Sequence, residues 1–142
     1  MKNMRVLIDT NIILDFVLKR EPFFGDAKLL VRLCMQGKIL GFVAVHSISN
    51  MFYILRNDFP VEERRNILLD FCKIFAVVGI DSEMVESALL NGQFVDFEDC
   101  LQVECAKSCE ADYIVTRNVK DFAASSVLAV EPAVINKMFS VI

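Results

Sequence analysis

Val6-Leu7-Ile8 runs straight into Asp9, and Thr10-Asn11-Ile12-Ile13-Leu14-Asp15 follows with the pattern of a helix. A short apolar run of this kind forms a buried central strand. A carboxylate at its carboxyl end then stands on the edge where an open parallel α/β sheet binds ligands. Asp is also a preferred helix N-cap, so Asp9 alone does not separate capping from chemistry. A similar arrangement returns at Tyr113-Ile114-Val115-Thr116-Arg117-Asn118-Val119-Lys120-Asp121-Phe122, and between the two lies Asp96-Phe97-Glu98-Asp99. Acids converging on one sheet edge, from segments with few cations to pair them, point to a divalent metal site. With a single histidine, His46, no convincing Ser-His-Asp or Cys-His set is available.

The elements that must position these acids alternate. Met4 to Ile8 reads as the first strand and Thr10 to Lys19 as a helix broken at Glu21-Pro22. Ala27, Leu30, Val31, Cys34 and Met35 give Phe23 to Gln36 a helical period, and Gly37 is a natural stop. Ile39 to Val45 is strand-like, Ser47 to Arg56 helical, and Pro60 opens a helix through Phe75. Ala76 to Ile80 reads as a strand, and Asp81-Ser82 caps a helix reaching Asn91. Glu98 to Glu110 is a helix, Tyr113 to Val115 and Val127 to Val130 are strands, and Pro132 to Met138 closes the chain as a helix. Strands separated by one or two helices imply parallel crossovers, hence an α/β fold of three layers, α/β/α, around a mostly parallel sheet of about five strands. No linker, repeat or low-complexity tract interrupts residues 1–142, which read as one domain.

Composition narrows the partners. Fifteen Lys and Arg against 19 Asp and Glu give a net charge of −4, so no general cationic surface exists for reading a DNA groove. A local basic rim remains open to Arg56, Arg64, Arg65 and Lys120. The apolar share of 55% is high for a soluble domain, yet the longest apolar run, Ile74 to Ile80, falls far short of a bilayer span. The surplus implies a thick buried sheet plus a self-association or partner surface, with Phe23-Phe24 and Met51-Phe52-Tyr53-Ile54-Leu55 as candidates; a homodimer is the expectation. No signal-peptide pattern opens the chain. Five cysteines, odd in number and without a C-x-x-C pair, fit buried thiols in a reducing, cytoplasmic setting.

Taken together, strand-Asp-Thr-Asn, a mid-chain helix ending Tyr53-Ile54-Leu55-Arg56, the Asp96-Phe97-Glu98-Asp99-Cys100-Leu101-Gln102 run and Ile114-Val115-Thr116-Arg117-Asn118-Val119-Lys120-Asp121-Phe122 resemble a PIN domain. The likeness is greatest to bacterial PIN proteins that include toxins of VapC type, and it covers nearly the whole chain. The resemblance implies a ribonuclease that depends on Mg²⁺ or Mn²⁺; its toxin members cut RNA and are silenced by a small antitoxin. Position by position, it assigns Asp9, Asp99 and Asp121 as metal-binding, catalytic acids, with Thr116 and Asn118 in polar support. The family's second acid is usually a Glu on the mid-chain helix, and here Asn50 stands in its place. Asn keeps an oxygen donor but removes a charge, weakening the hold on a hard cation; either Asp96 or Glu98 compensates or this branch of the family uses Asn normally.

Mg²⁺ keeps several waters and needs only one or two carboxylates plus substrate phosphate, so such a pocket suffices for hydrolysis. Arg117, inside the last motif, is a candidate for binding substrate phosphate, and single-stranded RNA suits the site better than a duplex. Other roles stand beside these. Asp96-x-x-Asp99 also resembles a capping arrangement, Glu98 reads as solvated, Asp15 as supporting or structural, and His46 as a helix-start or packing residue. Because of Asn50, a catalytically degenerate PIN domain that binds RNA or protein is the main alternative. A phosphatase resembling the haloacid dehalogenases would need a second Asp two residues after Asp9, where this chain has Asn11.

Overall fold

Strand β1 (Met4–Ile8) is apolar from Val6 to Ile8, with all three side chains fully buried, as a strand covered on both faces must be. It lies at the centre of a five-stranded sheet of order β3-β2-β1-β4-β5, formed with β2 (Ile39–Ala44), β3 (Ala76–Val78), β4 (Tyr113–Val115) and β5 (Ala129–Val130). Every pairing is parallel; Val6 sits opposite Gly41 on one side and Tyr113 on the other. The structure, a computed structural model, describes residues 3–140.

Alternation along β1 separates two layers. Val6 and Ile8 join the larger core, with α1 (Thr10–Val17), α2 (Phe24–Met35), α3 (Val45–Ile54), α4 (Val61–Ile74) and α7 (Pro132–Met138). Leu7 and Ile114 face the opposite layer, built from α6 (Phe97–Ser108) with α5 (Ser82–Leu90) beside it. Each fully buried Leu or Ile contributes roughly 1.5–3 kcal/mol of burial, so the all-apolar strand ends anchor whatever follows them. Gly41 is obligatory here: a Cβ on it would lie 2.7 Å from the Phe75 ring and 2.8 Å from Cys34 Sγ.

The three-layer α/β arrangement is as expected, and the differences lie at element ends. Helix α1 stops at Val17 and α6 at Ser108 because Lys19 and Glu110 adopt left-handed backbone, φ 51° and 55°. Helix α3 begins at Val45, directly on leaving β2, and its last turn tightens into a 3₁₀ turn at Leu55–Asn57. Strands β3 and β5 are shorter than the apolar runs Ala76–Ile80 and Val127–Val130 that contain them. The segment after β4 forms an unexpected 3₁₀ turn, Val119–Phe122, pinned by the buried Phe122. Among the described residues, no helix is long and apolar enough to cross a membrane.

The sheet reverses its order around β1, with β2 on one side and β4 on the other, so the chain crosses to opposite sides from its centre. At such a switch point the loops leaving neighbouring strands diverge and open a crevice at their carboxyl ends. Asp9 is the first residue past β1, and Thr116 the first past β4.

Candidate active site

Asp9 turns the chain from strand to helix with extended backbone, φ −66° and ψ 148°, and its carboxylate accepts the Thr10 N–H at 2.9 Å. Capping and exposure to the crevice are therefore both properties of the same side chain. Its carboxylate also accepts the Thr116 hydroxyl at 2.8 Å and the Gln102 side-chain amide at 3.2 Å. All these donors are neutral. Burial pushes the Asp9 carboxyl above its usual pKa, opposed in part by those hydrogen bonds and by the Arg117 charge.

Asp9 opens into a cleft of about 420 Å³ whose walls come from four regions. Thr10 and Asn11 arrive with α1; Asn50, Tyr53 and Ile54 with α3; Asp96, Glu98, Asp99 and Gln102 with α6; Asn118 and Asp121 with the turn after β4. The spacings explain the sharing of faces: Asn50, Tyr53 and Ile54 stand three and four residues apart on α3, and Asp99 and Gln102 three apart on α6. Of the site residues read from sequence, Asp9, Asn50, Asp96, Asp99, Asn118 and Asp121 line this cleft. Thr116 reaches it through Asp9, and accepts the Asn118 N–H at 3.0 Å, holding the loop that carries Asp121.

Five carboxylates line the cleft and, among the described residues, no Lys or Arg does. Asp99 records the consequence: burial, then repulsion from Asp96, Asp9, Asp121 and Glu98, raises its pKa to about 7. Glu98 is raised as well, by burial and by its acidic neighbours Asp96 and Asp9. Asp96 caps α6, accepting the Glu98 N–H at 2.7 Å, while still facing the cleft. Such uncompensated negative charge fits a hard divalent cation. Gln102 adds a second sign: it is buried to 1% exposure, yet its Oε1 has no hydrogen-bond partner. Among the described residues, no three His, Cys, Asp or Glu side chains converge into a ready cage. Mg²⁺, which retains much of its water, does not require one.

Ser47 was not legible beforehand. Ser47, fully buried, receives the Thr10 hydroxyl at 2.7 Å and the Gln102 amide at 3.2 Å, linking α1, α3 and α6 beneath Asp9. Its signal was its place three residues before Asn50. Glu98 does not simply point to solvent: it lines the cleft and accepts the Asn50 side-chain amide.

Arg117, expected as a phosphate ligand, lies outside this cleft. Its guanidinium grips Asp15 through Nε at 2.8 Å and Nη2 at 3.2 Å, and lies 4.0 Å from the centre of the Phe23 ring. Asp15 is fully buried and takes a second cation, Arg20, at 3.6 Å. Arg64 is similarly engaged, against Phe52 and the Phe52 and Phe59 carbonyls. Arg65 and Lys120 are exposed. His46 sits in the first turn of α3 with both ring nitrogens buried and unpartnered, and burial lowers its pKa. All five cysteines are free; four are buried and Cys72 is exposed. Burial pushes Cys34 and Cys105 up to about 12, leaving both as unreactive thiols.

Residues 5–120 match the profile of the PIN domain family. This chain belongs to that family. The solved structures it resembles are distant in sequence but share the fold. VapBC2 of Rickettsia felis, bound to a DNA fragment from its promoter, is 18% identical, with a TM-score of 0.63 over 90% of this chain and 98% of that one. A toxin–antitoxin complex of Klebsiella pneumoniae is 20% identical, with a TM-score of 0.67 over 89% of this chain and 97% of the other. VapC20 of Mycobacterium tuberculosis, described as a toxin that cleaves the sarcin–ricin loop, is 14% identical, with a TM-score of 0.68 over 89% and 99%. No curated protein matches the chain by sequence. The PIN fold accounts for the five parallel strands and for a cleft at their carboxyl edge.

Proposed function

We propose that this PIN domain is an endoribonuclease dependent on Mg²⁺ or Mn²⁺, and the toxin of a toxin–antitoxin pair. The observation that carries the reading is the acidic cleft at the sheet's switch point, where Asp9, Asp99 and Asp121 face the same space. Those three carboxylates would hold the ion, with Asn50, Asp96 and Asn118 as polar support around it. When bound, the metal supplies an activated water and offsets charge on the phosphodiester in the transition state. The chain's part is orientation. Thr116 and Gln102 fix the two Asp9 oxygens, Phe122 anchors the turn that carries Asp121, and Asp96 holds the start of α6 beneath Asp99. Single-stranded RNA is the proposed substrate class, suiting an acidic cleft bridged by metal better than a duplex does.

The toxin reading draws on the shared fold of VapC20 and the two complexes. A small antitoxin and a second copy of the chain are the proposed protein partners, and the cytoplasm the proposed setting. One observation favours a second reading, a PIN domain that binds without cutting: Asn50 stands where the family usually has Glu, and its amide is bonded to Glu98.

The test is cleavage of a mixed pool of structured and single-stranded RNAs with Mn²⁺ or Mg²⁺, with EDTA, and with an Asp9→Asn variant purified alongside. Metal-dependent cutting that Asp9→Asn loses by more than ~100-fold supports the nuclease. Equal silence of both proteins, beside a working control nuclease, would transfer the assignment to the binding module.

A further inference from the structure

One wall of the cleft differs from the rest. Tyr53 is 62% exposed, an unusual position for a large ring that also lines a cleft, and Ile54 continues its surface. The Tyr53 ring carries the Arg56 guanidinium 3.7 Å from its centre. Arg56 Nη1 also donates to the Tyr53 carbonyl at 2.9 Å, so the cation is tied to the same turn of backbone as the ring it covers. Tyr53 and Asn50 sit three residues apart on α3, which puts the ring beside the polar end of the cleft. Every other side chain on the cleft wall is a carboxylate, amide or hydroxyl, apart from Ile54.

A phosphodiester strand presents two chemistries, anionic phosphates and flat bases. Five carboxylates repel the first unless a metal intervenes, and offer nothing to the second. An exposed ring backed by a guanidinium serves both: π-faces stack on the ring in sequence-tolerant fashion, and the cation offsets backbone charge. We propose that Tyr53 and Arg56 form a stacking platform for an unpaired base next to the scissile phosphate, which selects single-stranded over duplex RNA. This rests on the nuclease reading above and adds to it a residue that contacts substrate without holding metal.

The experiment measures KM and kcat on single-stranded and duplex RNA for wild type, Tyr53→Ala, Tyr53→Phe and Arg56→Gln. Binding is followed separately with a fluorescein-labelled oligouridylate, Ca²⁺ replacing Mg²⁺. Tyr53→Ala is expected to raise KM and weaken oligouridylate binding roughly tenfold with kcat near wild type. Tyr53→Phe should restore both, and duplex should be insensitive to either change. Arg56→Gln, which leaves the ring in place, should weaken binding about threefold and flatten its salt dependence. The chain has two tyrosines and no tryptophan, so quenching of tyrosine emission by oligouridylate, absent in Tyr53→Phe, gives a readout independent of cutting. A wild type that cuts while Tyr53→Ala keeps its KM and affinity overturns the platform and leaves the nuclease standing. A wild type that neither binds nor cuts removes both. If Tyr53→Ala converts a dimer to monomer in sedimentation with RNA binding unchanged, the ring belongs to self-association and the platform is wrong.

Discussion

Asp9 and Asp15 lie six residues apart on one strand-to-helix segment, and the fold treats them in opposite ways. Asp15, fully buried, is gripped by Arg117 through two nitrogens and approached by Arg20. Asp9 receives only a backbone N–H, a hydroxyl and an amide, and looks into a cleft with four more carboxylates. The first arrangement neutralises its charge and locks two elements together. The second keeps charge in place, oriented but unpaired, at a cost in stability that a cation can remove. The two are joined: Arg117 directly follows Thr116, so the grip on Asp15 also holds the hydroxyl that orients Asp9.

The contrast is open to attack from both sides. Asp15→Ala leaves Arg117 without its buried partner and is expected to cost about 3 kcal/mol, lowering Tm by about 10 °C. Asp9→Asn should move Tm by less than about 2 °C in EDTA. Thermal melts of the two variants side by side decide the matter, and the reverse order would mean the structural and functional carboxylates have been exchanged.

A smaller effect tests the departure at position 50. Asn50→Glu adds a fixed charge to the cleft and should tighten Mn²⁺ binding about tenfold in calorimetry, an effect of ~1.4 kcal/mol. It also sets two glutamates against each other, because Asn50 now donates to Glu98. Unchanged affinity would place residue 50 outside the metal's reach.

The smallest effect concerns pH. Asp99 holds its proton until about pH 7, whereas an unfolded aspartate loses it near 3.8. Between those values the folded state binds more protons than the unfolded, so metal-free stability falls as pH rises through that window. Asp99→Asn should therefore raise Tm by about 3 °C at about pH 8 in EDTA and scarcely change it at about pH 4. A pH-independent difference between the two proteins would contradict a carboxyl raised by burial and by its acidic neighbours.

Asp9 was legible because it closes an apolar strand, the Asp96–Asp99 acids because they open a helix, and strand ends in a parallel sheet share one edge. That logic brought Asp9, the Asp96–Asp99 cluster and the segment after Val115 to one edge; the choice of Asp99 and Asp121 within them came from the resemblance to PIN domains. It could not assign Arg117. From sequence, an arginine between Thr116 and Asn118 is free to turn either way, and only the packing shows the buried Asp15 waiting for it. Six residues are about one and two-thirds helical turns, which carries Asp15 round to a different side of α1 from Asp9. Ser47 escaped notice, and Gln102 figured only as the end of a motif with no role at the site, because a neutral polar residue carries no charge pattern. Their importance appears once α3 and α6 are seen to meet beneath Asp9. Element ends such as Lys19 and Glu110 were missed for another reason, since their left-handed backbone is set by neighbouring contacts and not by glycine.

The position of β1 between β2 and β4 also governs when the cleft can exist during synthesis. A chain emerging from the ribosome can pair Met4–Leu7 with Ile39–Phe42 early, but one edge of β1 stays open until Tyr113–Val115 has been made. Thr116, which fixes Asp9, and Asp121, which completes the acidic wall, arrive with that same late strand. Covering the second edge of β1 and completing the cleft thus depend on the same late segment, and a chain lacking it has neither.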